Sequence, residues 1–181
     1  VAENVSSDEI GEWDHLKKLT YSIISGNEMK RKEALNRKAN IYLISRDNLA
    51  WLIGLHGGGK LPFDMLVIDE SSSFKNPRSL RFKALKPTLA YFKRTVILTG
   101  TPAPNGLMDL WAQIYLLDRG ERLGKTITAY RERFFTPGKR NGHIVFNYNL
   151  QPHGEELIYS KIDDIVMSIK YMEYIDLTDR I

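Results

Sequence analysis

Four short apolar runs, each the length of one strand, constrain this chain more than any other feature. They are Tyr21-Ser22-Ile23-Ile24, Ile41-Tyr42-Leu43-Ile44, Met65-Leu66-Val67-Ile68 and Thr95-Val96-Ile97-Leu98. Segments of helical character separate them, and strands that alternate with helices pair in parallel, because that crossover is long enough to hold a helix. Residues 27–38 read as a charged helix with Asn27 as its N-cap. A short helix over 49–53 and a flexible Gly57-Gly58-Gly59-Lys60 loop lead to the third run. Pro77 suits the first turn of a helix reaching about Leu89. After the fourth run, Asn105 or Gly106 opens a helix carrying Leu107, Leu110, Trp111, Ile114 and Leu117. The expected fold class is α/β, a parallel sheet with helices on both faces.

Beyond Asp118 the texture changes. Residues 129–135 read as a short helix, Asn141-Gly142 begins a hairpin turn into 143–148, and 155–168 carry helical apolar spacing. This implies a C-terminal α+β appendage, with residues 1–118 as the main lobe and 119–181 as an accessory segment.

The third run ends abruptly in Asp69-Glu70. Four apolar residues with a β-branched pair predict a strand buried on both faces. Ionised carboxylates are costly to bury, so acids placed where such a strand ends usually serve a metal or a proton transfer. In phosphate-cleaving ATPases the Asp holds Mg²⁺ and a neighbouring group orients water. A strand end with a solvated acid pair is the plain alternative. The fourth run repeats the design, ending in Thr99-Gly100-Thr101-Pro102. Together the two ends make a nucleotide-hydrolysis site the leading reading.

Composition narrows the alternatives. The chain has 181 residues, 43% of them apolar, enough for one packed domain with an appendage. No run approaches the eighteen or so apolar residues of a membrane span. Val1-Ala2-Glu3-Asn4 has neither the basic nor the apolar region of a signal peptide. With no Cys there is no thiolate metal site, no disulfide and no Cys nucleophile, which fits a reducing cytosol. His15, His56, His143 and His153 lack metal-ligand spacing. The net charge of +4 is mild. Basic clusters such as Lys30-Arg31-Lys32 and Lys139-Arg140 are read as solvated helix or loop faces, with phosphate contacts the alternative.

Two segments imitate a phosphate loop. Gly120 to Thr126 has three residues between its glycines where the motif needs four, and no apolar strand precedes it. Gly57-Gly58-Gly59-Lys60 lacks the Ser or Thr for Mg²⁺ and precedes a strand instead of following one. Neither is read as the nucleotide loop.

Asp69-Glu70-Ser71-Ser72-Ser73-Phe74-Lys75-Asn76 resembles motif II of the Swi/Snf-type branch of superfamily-two helicases, Asp-Glu-x-His-x-x-Lys-Asn. Leu98-Thr99-Gly100-Thr101-Pro102-Ala103-Pro104-Asn105, with Leu110-Trp111, is similar to motif III and the helix after it. Ile44-Ser45-Arg46-Asp47-Asn48-Leu49 resembles the segment between motifs Ia and II, and Asp8-Glu9-Ile10 with Trp13 the helix after motif Ia. Leu123-Gly124, Tyr130 and Phe134-Phe135 resemble the region beyond motif III. The chain also resembles compact phage-borne helicases of this type.

The resemblance implies an incomplete RecA-like lobe lacking the motif I strand, with a phosphate loop upstream of residue 1 and a second RecA-like lobe elsewhere in the same protein. It implies ATP and Mg²⁺ as cofactors, DNA, double-stranded by preference, as partner, and the cytoplasm of a bacterial or phage-infected cell as the setting. Asp69 would hold Mg²⁺ through water and Glu70 would polarise the attacking water. Thr99 and Thr101 would hydrogen-bond the motif II carboxylates, while Gly100 allows close backbone approach. Ser45, Arg46 and Asn48 are candidates for backbone contacts to DNA, or a plain helix cap. Lys75 and Asn76 position motif II, and Trp13, Trp51 and Trp111 are core aromatics. Ser72 stands where the family has the His that links motif II to motif III. Three functions therefore compete: an ATP-dependent DNA translocase lobe, a nucleic-acid-binding module with a degenerate ATPase, and the motor subunit of a nuclease system.

Overall fold

The computed structural model describes residues 17–142 and 144–168. The segment at Asp8-Glu9-Ile10, Trp13, His15 and His143 lie outside the described residues. Backbone contacts divide the chain into two compact units, one built from residues 1–69 and 76–98, the other from 70–75 and 99–181. The partition suggested at 118/119 falls inside the second of them.

In the first unit, β1 (Tyr21–Ile24) pairs in parallel with β2 (Ile41–Ile44), Tyr21 opposite Ile41 and Ile24 opposite Ile44. The side chain of Asn40 starts the pair by accepting the Thr20 N–H and hydroxyl, both at 2.9 Å. Between the strands runs α1 (Glu28–Asn36), and Asn27 caps it by accepting the Lys30 N–H at 3.0 Å, as its sequence predicts. Most of α1 is solvated, with Lys32 and Glu28 paired at 2.7 Å one turn apart, so its charge run is a wet face. Its buried Ala34 offers a carbonyl to the Ser22 hydroxyl at 2.7 Å, tying helix to strand.

A 3-10 turn (Arg46–Asn48) leads into α2 (Leu49–Leu55), and β3 (Met65–Ile68) then pairs in parallel with β4 (Arg94–Ile97). Among the described residues the two parallel pairs are separate ladders. The expectation that β3 is buried on both faces does not hold. Met65 and Val67 are 48% and 54% exposed while Ile68 is 6% exposed, so one face is covered and the other is not. The alternation of a strand puts Met65 and Val67 on that second face. The helix expected from Pro77 is also corrected: α3 spans Leu80–Leu85, with Ser79 accepting the Phe82 N–H as its cap. Pro77 lies outside it, and Pro87 sits at the start of the 3-10 stretch Lys86–Tyr91 that replaces the last turns.

The second unit centres on α4 (Leu110–Asp118), opened by Gly106 at φ 97 and a 3-10 turn (Leu107–Asp109). The unit continues through α5 (Ile127–Phe134), strands β5 (Phe135–Pro137), β6 (Arg140–Asn141), β7 (Ile144–Val145) and β8 (Tyr148–Leu150), and α6 (Gly154–Ile162). Its core gathers Leu110, Trp111, Ile114, Tyr130, Phe134 and Ile158, all at most 5% exposed. Burial pushes the Tyr130 phenol upward, with a smaller contribution from Tyr159, and its hydroxyl donates to the Leu107 carbonyl at 2.7 Å. β5 pairs with β8 and β6 with β7 in one antiparallel register, and the bond from Gly138 N–H to Asn147 carbonyl bridges them. The hairpin predicted at Asn141-Gly142 thus belongs to a ribbon over 135–150. α6 ends earlier than the apolar spacing predicts, at Ile162 rather than 168.

Candidate functional site

Parallel pairing delivers two chain ends together. Val67 lies opposite Val96 and Ile68 opposite Ile97, and the Leu98 N–H continues the ladder by donating to the Ile68 carbonyl at 2.8 Å. Asp69 and Thr99 are the next residues on the respective strands, at the carboxyl ends where open α/β sheets hold their ligands. Asp69 and Glu70 are both exposed.

Glu70 takes the left-handed conformation, φ 53 and ψ 56. A non-Gly residue in that region costs about 1–2 kcal/mol, and Arg119 and His153 share the conformation at φ 56 and 60. The turn Glu70 makes redirects the chain from β3 into the 3-10 helix Ser71–Phe74. Its donor set also fits Mg²⁺: carboxylate oxygens suit a hard cation that keeps several waters and takes its remaining ligands from phosphate. No group of three or more His, Cys, Asp or Glu side chains that could hold a metal exists among the described residues.

The loop after Glu70 is fixed within the second unit by a residue that pattern reading missed. Gln113 on α4 is 1% exposed, and its Oε1 accepts the hydroxyl of fully buried Ser71 at 2.8 Å. Its Nε2 donates to the carbonyls of Pro102 and Asp109. One amide therefore joins the residue after Glu70 to the residue after Thr101. Ser71, the neighbour of Ser72, makes this connection. The signal in the sequence was a lone amide inside the apolar stripe of Leu110, Trp111 and Ile114. Lys75 reinforces the arrangement through Asp109 at 3.7 Å, whose carboxylate also accepts from the Asn105 N–H and side chain. Asn76 accepts the Arg78 N–H at 2.9 Å and shapes the following turn.

In the loop after β4 the Thr99 hydroxyl oxygen accepts the Thr101 N–H at 3.1 Å, while Gly100 and Thr101 are exposed. Close approach does not explain Gly100, because a Cβ there would meet nothing within 4 Å. Around the other candidates, Asn48 accepts from Arg31 at 2.6 Å, and the Arg31 guanidinium stacks 4.2 Å from the Trp51 ring centre. Asn48 makes no side-chain cap bond, and neither does Ser45. The cap reading fails for both. Arg46 is exposed, and Asp47 meets Arg81 at 3.5 Å. Trp111 is buried, with its indole N–H on the Gly124 carbonyl at 3.0 Å, the core role expected of it.

Both phosphate-loop imitations are closed by their own bonds. Asp118, 7% exposed, accepts the Gly120 N–H at 2.7 Å and the Arg122 N–H at 2.8 Å, so a carboxylate of the chain occupies the nest a phosphate would need. Gly120 is at φ 83, and a Cβ on it would come within 2.5 Å of the Gly124 carbonyl. In the other loop the N–H groups of Gly57, Gly58 and Gly59 bond to carbonyls of Gly54, Ile53 and His56. Arg122 also grips Asp164, and the hydrogen bond and charge of that guanidinium hold the Asp164 carboxyl below its ordinary value.

The model of the SNF2-related domain matches residues 6–168. Protein p41 of Acyrthosiphon pisum secondary endosymbiont phage 1 is 35% identical across the whole of this chain, which spans 40% of that protein. Helicase SWR1 of Mycosarcoma maydis is 35% identical over 51% of the chain and 5% of its own length. Among solved structures, the Sulfolobus solfataricus SWI2/SNF2 ATPase core, determined in complex with dsDNA, superposes on 92% of the chain. Its TM-score is 0.68 at 22% identity, with 31% of its own length covered, and it shows the shared fold. Motifs II and III follow paired parallel strands and a family model spans most of the sequence: the chain belongs to the SNF2-related domain family, a Swi/Snf-type relative of the superfamily-two helicases.

Proposed function

We propose that this chain is part of an ATP-dependent motor that couples ATP hydrolysis to movement along double-stranded DNA. The observation that carries the reading is the placement of Asp69-Glu70 and Thr99-Gly100-Thr101 directly after hydrogen-bonded neighbours β3 and β4. Asp69 would hold Mg²⁺ through water, and Glu70 would orient and polarise the attacking water. Magnesium-ATP, when bound, supplies the phosphoryl group and the charge that the metal neutralises. The protein's own part is positioning: β3 fixes Asp69, the left-handed turn aims Glu70, and Ser71 is held by Gln113.

The functional partition proposed is a partial RecA-like lobe over 1–118 and an accessory segment over 119–181, working with a second RecA-like lobe of the same protein. Ser45 and Arg46 are the stronger candidates for DNA backbone contacts, since Asn48 is engaged by Arg31. The reading of a degenerate module rested on Ser72, and the Ser71–Gln113–Pro102 connection weakens that motive.

Displacement of a third strand from a triplex tests the proposal on the full-length protein. ATP-dependent displacement without strand separation is the expected result. Hydrolysis that DNA does not stimulate, with no displacement, would overturn it.

A further inference from the structure

The ribbon over 135–150 lies outside the ATPase motifs. Its residues pair in a single register, Phe135 with Leu150, Pro137 with Tyr148, Arg140 with Val145 and Asn141 with Ile144. The Phe146 N–H donates to the Lys139 carbonyl at 2.9 Å, which places those two opposite each other as well. Gly142, at φ 57, takes a conformation that favours glycine and allows the tight turn. The base is anchored: Phe135 is buried, Gln151 bonds to α5 and the Phe135 carbonyl, and Arg131 lies 4.7 Å from the Tyr148 ring centre.

The tip is different. Lys139, Arg140 and Asn141 are exposed, and Ile144 and Phe146 are 64% and 67% exposed. Strand alternation and the register put Lys139, Asn141, Ile144 and Phe146 on one face, with Arg140 on the other. No acidic residue occurs between Glu132 and Glu155, so the whole ribbon is positive or neutral. Exposed apolar side chains beside cations on an acid-free ribbon suit a polyanion with apolar edges. The major groove of DNA, about 12 Å wide, admits a two-stranded ribbon.

We propose that the tip of this ribbon is a second contact for double-stranded DNA, seated in a groove, with Lys139 and Arg140 on phosphates and Asn141, Ile144 and Phe146 toward base edges. The inference rests on the DNA reading above and adds a surface to it. Two phosphate contacts predict a slope of log affinity against log salt shallower by about 2 when both cations are removed.

The test is fluorescence anisotropy of a short labelled duplex with the full-length protein. Lys139→Ala/Arg140→Ala should weaken binding about tenfold at low salt and flatten the salt slope. Phe146→Ala should weaken it several-fold with the slope unchanged. Lys30→Ala on α1 with Lys38→Ala just beyond it, the same charge loss at exposed positions, serves as control and should change affinity by less than about twofold. If the ribbon variants match the control while the parent chain binds, the ribbon inference falls and the DNA reading stands. If the parent chain shows no duplex binding at any salt, the DNA reading falls with it. Loss of self-association in Phe146→Ala, with duplex binding intact, would instead make the tip a protein contact and overturn the proposal.

Discussion

At the scale of single residues, Glu70 carries the sharpest expectation. Glu70→Gln keeps shape but removes charge and basicity, so in the full-length protein ATP turnover should fall at least about a hundredfold with nucleotide binding retained. Turnover within about threefold of the parent would remove Glu70 from the chemistry. Gln113 is proposed as a positioning residue, and Gln113→Leu tests that role. The apolar replacement leaves the Ser71 hydroxyl and the Pro102 carbonyl without this partner, costing about 1–3 kcal/mol. It should lower DNA-stimulated hydrolysis far more than basal hydrolysis, because it loosens the tie between the loops after Glu70 and Thr101. An equal loss in both rates would reduce Gln113 to packing.

At the scale of elements, the turn between α4 and α5 depends on one buried carboxylate. Asp118→Ala strands the N–H groups of Gly120 and Arg122 and should destabilise the protein by about 2–3 kcal/mol in chemical denaturation. A loss below about 0.5 kcal/mol would mean that water replaces the carboxylate freely. This turn also shows where sequence reading stops. The mismatch of its glycine spacing excluded a phosphate loop, but only folding reveals that Asp118 occupies the nest. By contrast β2 and β3 were legible to the residue, because an apolar run between polar segments has few alternatives, and Asn27 announced its own cap. The helix starting at Pro77 was misread because Ser79, two residues on, competes as a cap and wins. Gln113 was out of reach for another reason: its partners Ser71 and Pro102 are distant in sequence, and no local pattern encodes a tertiary hydrogen bond. The exposed face of β3 teaches the same lesson, since apolar content predicts a strand but not what covers it.

At the scale of the whole molecule, both glycine loops spend their N–H groups internally, so neither offers a phosphate cradle. The isolated chain should therefore hydrolyse no measurable ATP, with or without DNA, in a phosphate-release assay. A helicase-like rate from monodisperse 1–181 would force a search for another phosphate site, beginning at the Gly120–Thr126 segment. The left-handed backbone of Glu70 bears on the molecule in another way. A domain's total stability is only about 5–15 kcal/mol, and this one conformation withholds one or two of them. Glu70→Gly, normally a loss of about 1 kcal/mol at an ordered site, should here leave the melting temperature unchanged or raise it, while turnover disappears. A clear fall in melting temperature would show that the backbone strain is not felt. The residue proposed to carry the chemistry is thus one the fold would gladly exchange, and selection for thermal robustness alone would drift toward a sturdier, idle protein.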